Sequence, residues 1–172
     1  MLQNLKLASR FTVLLSLVFI SSIILTGVIL SQAVQHKAKT EVAAQGRLLM
    51  AMMISVRDYT SKNINPLLNY KLETEPKFIP ETVPAFSATT VFQNLIQNQK
   101  YKDFFYKEAV INPTNLRDKA DNFEIEIVEQ FRNQSDIPEV SNFRNRSGKQ
   151  VFYTARPIVI KEQSCLRCHS TP

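Results

Sequence analysis

Two thiols and an imidazole stand together late in the chain, as Cys165-Leu166-Arg167-Cys168-His169. This is the C-x-x-C-H pattern of haem attachment. Each thiol can add to one haem vinyl group. A histidine directly after the second cysteine then lies under the iron and ligates it, so attachment and proximal ligation come together. The alternatives are a disulfide, a zinc site and a thioredoxin-type dithiol. Zinc wants about four protein ligands, whereas Cys165 and Cys168 are the only cysteines and His36 is the only other histidine. A thioredoxin dithiol sits beside a βαβ pattern, which is not the setting here. The expected cofactor is therefore one covalently attached haem c held by Cys165, Cys168 and His169.

Thioether attachment takes place on the exported side of a membrane, and the N-terminal sequence provides the means of export. From Phe11 to Leu30 the chain carries no charge, and as a helix this run spans roughly the 30 Å hydrocarbon layer. Lys6 and Arg10 precede it with no acidic residue before them, which keeps residues 1–10 cytoplasmic by the positive-inside rule. Ser31-Gln32-Ala33 offers the small residues of a signal-peptidase site, but the apolar run exceeds the usual 7 to 15 residues or so of a signal peptide. The expected organisation is a cytoplasmic N-terminus (1–10), a transmembrane anchor (11–30), a helical stalk (31–45) and one haem domain (46–172).

Composition narrows the classes further. The formal net charge is +6, with basic and acidic residues intermixed along the chain. That distribution points away from nucleic acid and toward a membrane surface or an acidic partner. Three glycines cannot build a phosphate-cradling loop, and no Ser/His/Asp arrangement is available. The chain does not read as an enzyme.

Residues 34–70 contain no proline before Pro66 and place Val42, Leu49, Met53 and Val56 near helical spacing, which predicts one long helix. Pro76, Pro80 and Pro84 predict a wrapping loop over 71–90. Residues 90–107 read as a helix passing into a strand at Phe104-Phe105-Tyr106. Thr114 or Asn115 is the expected N-cap of a helix running to about Arg132. Beyond it, residues 140–160 read as a hairpin turning at Ser147-Gly148-Lys149. Helices first and a hairpin late make the class α+β with a small antiparallel sheet.

Several separated segments resemble a cyanobacterial family of single-haem c-type cytochromes with a PAS-like haem-binding domain, a domain of unknown function. They are Met50 to Tyr59, Val83-Pro84-Ala85-Phe86-Ser87-Ala88, Tyr106-Lys107-Glu108-Ala109, Asn112-Pro113-Thr114-Asn115 and the Cys165–His169 motif. The likeness covers nearly all of residues 40–172. It implies a short antiparallel sheet with helices packed about it and the haem near the long N-terminal helix. Some relatives use a cysteine as the sixth iron ligand, which this chain cannot do because it has no third cysteine.

Met50, Met53 and Arg57 share a face of that helix by i, i+3, i+7 spacing. Met53 or Met50 is the candidate sixth ligand; methionines at this spacing also fill cores. His36 is a weaker candidate on a solvated stalk, and an open iron site is the further alternative. Arg57, with Tyr59 just beyond it, suits a haem propionate; an exposed surface arginine is the plainer reading. Arg156 invites the same pair of readings. Asn112, Asn115 and Asp121 fit backbone capping better than cofactor contact.

Two functions follow from these residues. The first is a one-electron carrier or redox subunit, anchored so that its haem meets a redox partner or a larger membrane complex in the periplasm or thylakoid lumen. The second is a haem-based redox or gas sensor signalling through a separate partner. Ten residues before the span and three after His169 leave no room for an output module, which favours the carrier.

Overall fold

The computed structural model describes residues 7–74 and 76–159. The chain divides into two units at Ala44/Gln45, and the helix α1, Leu7–Tyr59, runs through the division. In the first unit its side chains from Phe11 to Leu30 all lie exposed, and the helix is long and apolar enough to cross a membrane. Two of its hydroxyls are satisfied within the helix. The hydroxyls of Thr12 and Ser21 donate to the carbonyls of Ala8 and Val18 at 3.0 and 2.9 Å, as hydroxyls inside helices commonly do.

Among the described residues the second unit is helix-dominated with one two-stranded antiparallel sheet. The expected helix over 34–70 is present and longer than its limits. After Tyr59 a single π turn, Thr60–Ile64, leads directly into α2, Asn65–Thr74. Pro66 is tolerated because it occupies the second position of α2, beside this widened turn, whose Asn65 N–H reaches back to the Thr60 carbonyl. In an uninterrupted α-helix its ring would clash with the carbonyl four residues back.

Three sequence expectations change in the structure. Residues 71–90 are not one wrapping loop. A short 3-10 turn, Pro80–Thr82, precedes α3, Pro84–Ile96, and Pro84 opens that helix where its missing N–H costs nothing. The helix ends at Ile96, and tight turns such as Tyr101 N–H to Asn98 O (2.9 Å) follow; Phe104 and Tyr106 belong to no strand and pack into the core instead. Asn115 does cap, but it caps a 3-10 turn, Leu116–Asp118. The following helix α4, Asn122–Asn133, starts from Asp121 through a reciprocal capping box with Glu124, both bonds 2.8 Å.

The hairpin is present but shorter than the expected 140–160, with β1 Val140–Arg146 and β2 Lys149–Ala155 paired from Val140↔Ala155 to Arg146↔Lys149, so that Lys149 belongs to the strand and not to the turn. Ser147 and Gly148 turn it with positive φ of 51° and 80°, the backbone of a two-residue turn that matches strand twist. Phe143 and Phe152 meet across the strands at 5.2 Å, edge to face. On the helix side, a Cβ placed on Gly46 would lie 3.6 Å from Thr154 Oγ1, ordinary van der Waals contact.

Glu139 binds these elements together. It accepts from Arg47 Nη1 on α1 at 3.2 Å and from Arg156 Nε, just past β2, at 2.8 Å. Desolvation pushes its carboxyl up, but the hydrogen bonds from Arg156 and Arg47 outweigh it and leave the carboxyl below the usual range. Asp121 is lowered likewise: desolvation is outweighed by the Glu124 N–H and by Arg144. Both groups lose protons more readily folded than unfolded, so their contribution is complete above about pH 5 and disappears as acid protonates the folded form. Urea unfolding followed from pH 6 down to pH 3 is expected to show falling stability, with Glu139→Gln flattening the acid limb.

Candidate functional site

The helix face carrying Met50, Met53 and Arg57 turns inward. Met53 is the most enclosed large side chain among the described residues, at 1% exposure, and forms the core with Ala88 and Phe92 of α3. Val56, Leu95, Ile96, Phe104 and Tyr106 close around that centre. Helical spacing therefore identifies the correct face, and the burial of Met53 there is accounted for by core packing alone. Met50, one turn earlier, is half-buried.

Arg57 points to the same side and is largely covered, not an exposed surface arginine. Its guanidinium Nη1 donates to Glu108 Oε2, and both side chains are largely covered, at 16% and 10% exposure. The other carboxylate oxygen accepts from the Tyr106 hydroxyl at 2.8 Å. Tyr106 in turn lies against Phe92, with ring centroids 5.4 Å apart. Burial first, and then the Glu108 carboxylate, push the Tyr106 phenol far above its ordinary value, so it stays protonated and donating.

Glu108 and Tyr106 had no role assigned from sequence beyond their place in a family-like segment. The available signal was their i, i+2 spacing, which in extended backbone turns both side chains to one face. Tyr59, by contrast, is 59% exposed and away from this group. Arg156 is committed to Glu139, and His36 lies exposed in the first unit. Cys165, Cys168 and His169 fall outside the described residues. Among the described residues no cluster of three His, Cys, Asp or Glu side chains forms a metal site.

A Glu108→Gln substitution leaves the covered Arg57 guanidinium without its counter-charge. We expect a loss of about 2–3 kcal/mol in urea unfolding, against about 1 kcal/mol for Tyr106→Phe. The reverse ranking would mean that the tyrosine hydrogen bond, not the ion pair, dominates this group.

Comparison with known proteins yields one match. The model of the Tll0287-like family fits residues 35–172. No curated protein and no solved structure matches the chain.

Proposed function

The chain belongs to the Tll0287-like family, and from that premise we propose that it is a membrane-anchored monohaem c-type cytochrome that transfers single electrons on the exported face of a membrane. The observation that carries the reading is the Cys165-x-x-Cys168-His169 motif. Its donor set fits haem c: two thiols at the spacing of the two vinyl groups and an imidazole adjacent to the second. Bound haem supplies a one-electron couple; the protein's task is to hold it, to ligate its iron and to set the polarity around it.

In this reading Cys165 and Cys168 form the thioethers and His169 ligates the iron. Met50 and Met53 are the thioethers available on the inward face of α1 for the sixth position. Arg57 serves the haem surroundings through Glu108 more than by direct contact with a propionate. The apolar helix from Phe11 to Leu30 anchors the domain with its N-terminus cytoplasmic, in the periplasm or thylakoid lumen. We also read the second unit as PAS-like, on the support of its antiparallel hairpin and flanking helices. A redox partner or a larger membrane complex is the natural recipient of the electron.

The test is an absorption spectrum of the full chain, produced with the c-type maturation machinery, reduced, and recorded with and without carbon monoxide. The carrier reading expects a low-spin reduced haem that ignores carbon monoxide. Ready binding of the gas would favour haem-based sensing in its place, and absence of covalent haem would remove both.

A further inference from the structure

Along α1 and α2 one face is left outside. In heptad spacing it runs through Leu48, Met52, Ser55 and Tyr59, continues through Asn63, and ends with Leu67, Tyr70 and Thr74. The step from Tyr59 to Asn63 should be three residues in a heptad and is four here. The π turn at Thr60–Ile64 absorbs the additional residue, as a one-residue skip, and so keeps α2 in phase with α1. Without it Leu67 and Tyr70 would rotate off the line. All eight positions are exposed, and the large ones strongly so: Leu48 63%, Met52 50%, Tyr59 59%, Leu67 78% and Tyr70 77%. The opposite face carries the buried Met53 and Thr60. The stripe is therefore a second apolar seam, about 40 Å long at 1.5 Å per residue.

We propose that this seam is the contact face between two parallel copies of the chain. Two features select a second copy over another occupant. The seam belongs to the same continuous helix, Leu7–Thr74, that is long and apolar enough to cross a membrane, so copies inserted in one bilayer run in the same direction. In a parallel two-fold pair each residue on the seam faces its own counterpart, and any charge there would meet its like at close range and repel it. Arg57, Asp58, Lys62, Lys71 and Glu73 all lie on this stretch of helix, and none of them is on the seam. Its polar positions are uncharged, and two have their hydroxyls satisfied within the helix: Ser55 donates to Ala51 O and Thr74 to Tyr70 O, both at 2.9 Å. A seam built to receive a charged partner would carry complementary charge; this one is neutral throughout. Its length is that of a short coiled coil, and pairing would cover five large apolar side chains in each copy. The inference is independent of the haem reading.

The experiment uses the full chain in detergent micelles. A photo-crosslinking benzoylphenylalanine is placed at Met52, at Leu67, or at the off-seam and partly exposed Ile54. On illumination, Met52 and Leu67 are expected to give a band of twice the chain mass and Ile54 little or none. In sedimentation equilibrium the unmodified chain should be a dimer, and Met52→Glu with Leu67→Glu should weaken association by about tenfold or more. A monomeric unmodified chain overturns the proposal. So do equal dimer yields from all three probe sites, or crosslinks confined to residues 160–172 of the same copy. The crosslinking readout does not depend on any destabilising substitution, so a double variant that fails to fold leaves the outcome decidable.

Discussion

Replacing Cys165 and Cys168 together by alanine is expected to abolish covalent haem. After denaturing electrophoresis the wild-type band should retain peroxidase-active haem stain, and the double variant should show none. Each single substitution should leave one thioether at most and lower the yield sharply. The effect is the largest available because attachment is a bond-forming step with no substitute elsewhere: the chain has only these two thiols. His169→Ala separates attachment from ligation. With both thiols intact some covalent haem should form, but its iron should lose the low-spin spectrum of an axial imidazole. If the double variant still stains, the haem reading fails at its root.

Met53 provides the second large effect, and two substitutions there separate packing from ligation. Met53→Ala empties part of the Met53–Ala88–Phe92 core and should cost about 2–5 kcal/mol. That is a large share of the roughly 5–15 kcal/mol that holds a typical domain together. Met53→Leu keeps the volume and should cost less than about 1.5 kcal/mol. A Met53→Leu protein with wild-type stability and an unchanged reduced spectrum assigns Met53 to the core alone and shifts the sixth-ligand question to Met50. Unchanged stability with a newly carbon-monoxide-reactive haem assigns the thioether to iron.

The same residue shows how far the sequence could be read. Helical periodicity placed Met50, Met53 and Arg57 on one face, and the structure turns that face inward. Periodicity could not say what the face would meet. Arg57 suits a carboxylate, and it meets one, but from Glu108, 51 positions along the chain. A pairing that distant depends on how the segment between α3 and α4 folds back, and no local pattern encodes it. Proline was the other misleading signal. As a breaker it predicted a loop over 71–90, yet Pro84 begins a helix and Pro66 sits inside a continuous one. Its effect depends on whether the missing N–H falls where a donor is needed. The hairpin was legible because its determinants are local: alternating strands and a Ser-Gly pair able to take positive φ. The helix over 114–132 was legible in existence and wrong at its start. Asn115 and Asp121 are both competent caps, and Glu124, three residues after Asp121, decides between them.

The grip of Glu139 on Arg156 can also be considered as the fixed end of a leash. Arg156 is nine residues before Cys165, a contour of about 30 Å at most. Cys168 lies three residues further along, so connectivity alone keeps both thiols within about 40 Å of a point held beside β1 and, through Arg47, tied to α1. Confinement on that scale corresponds to a local concentration in the millimolar range, so under the proposed function a haem held by the folded domain would meet the thiols as if in concentrated solution. Because Ala155 stays paired with Val140 whatever Arg156 does, the leash is lengthened by inserting about six Gly/Ser residues between Arg156 and Cys165; the expected signature is slower thioether formation with an unaltered final spectrum.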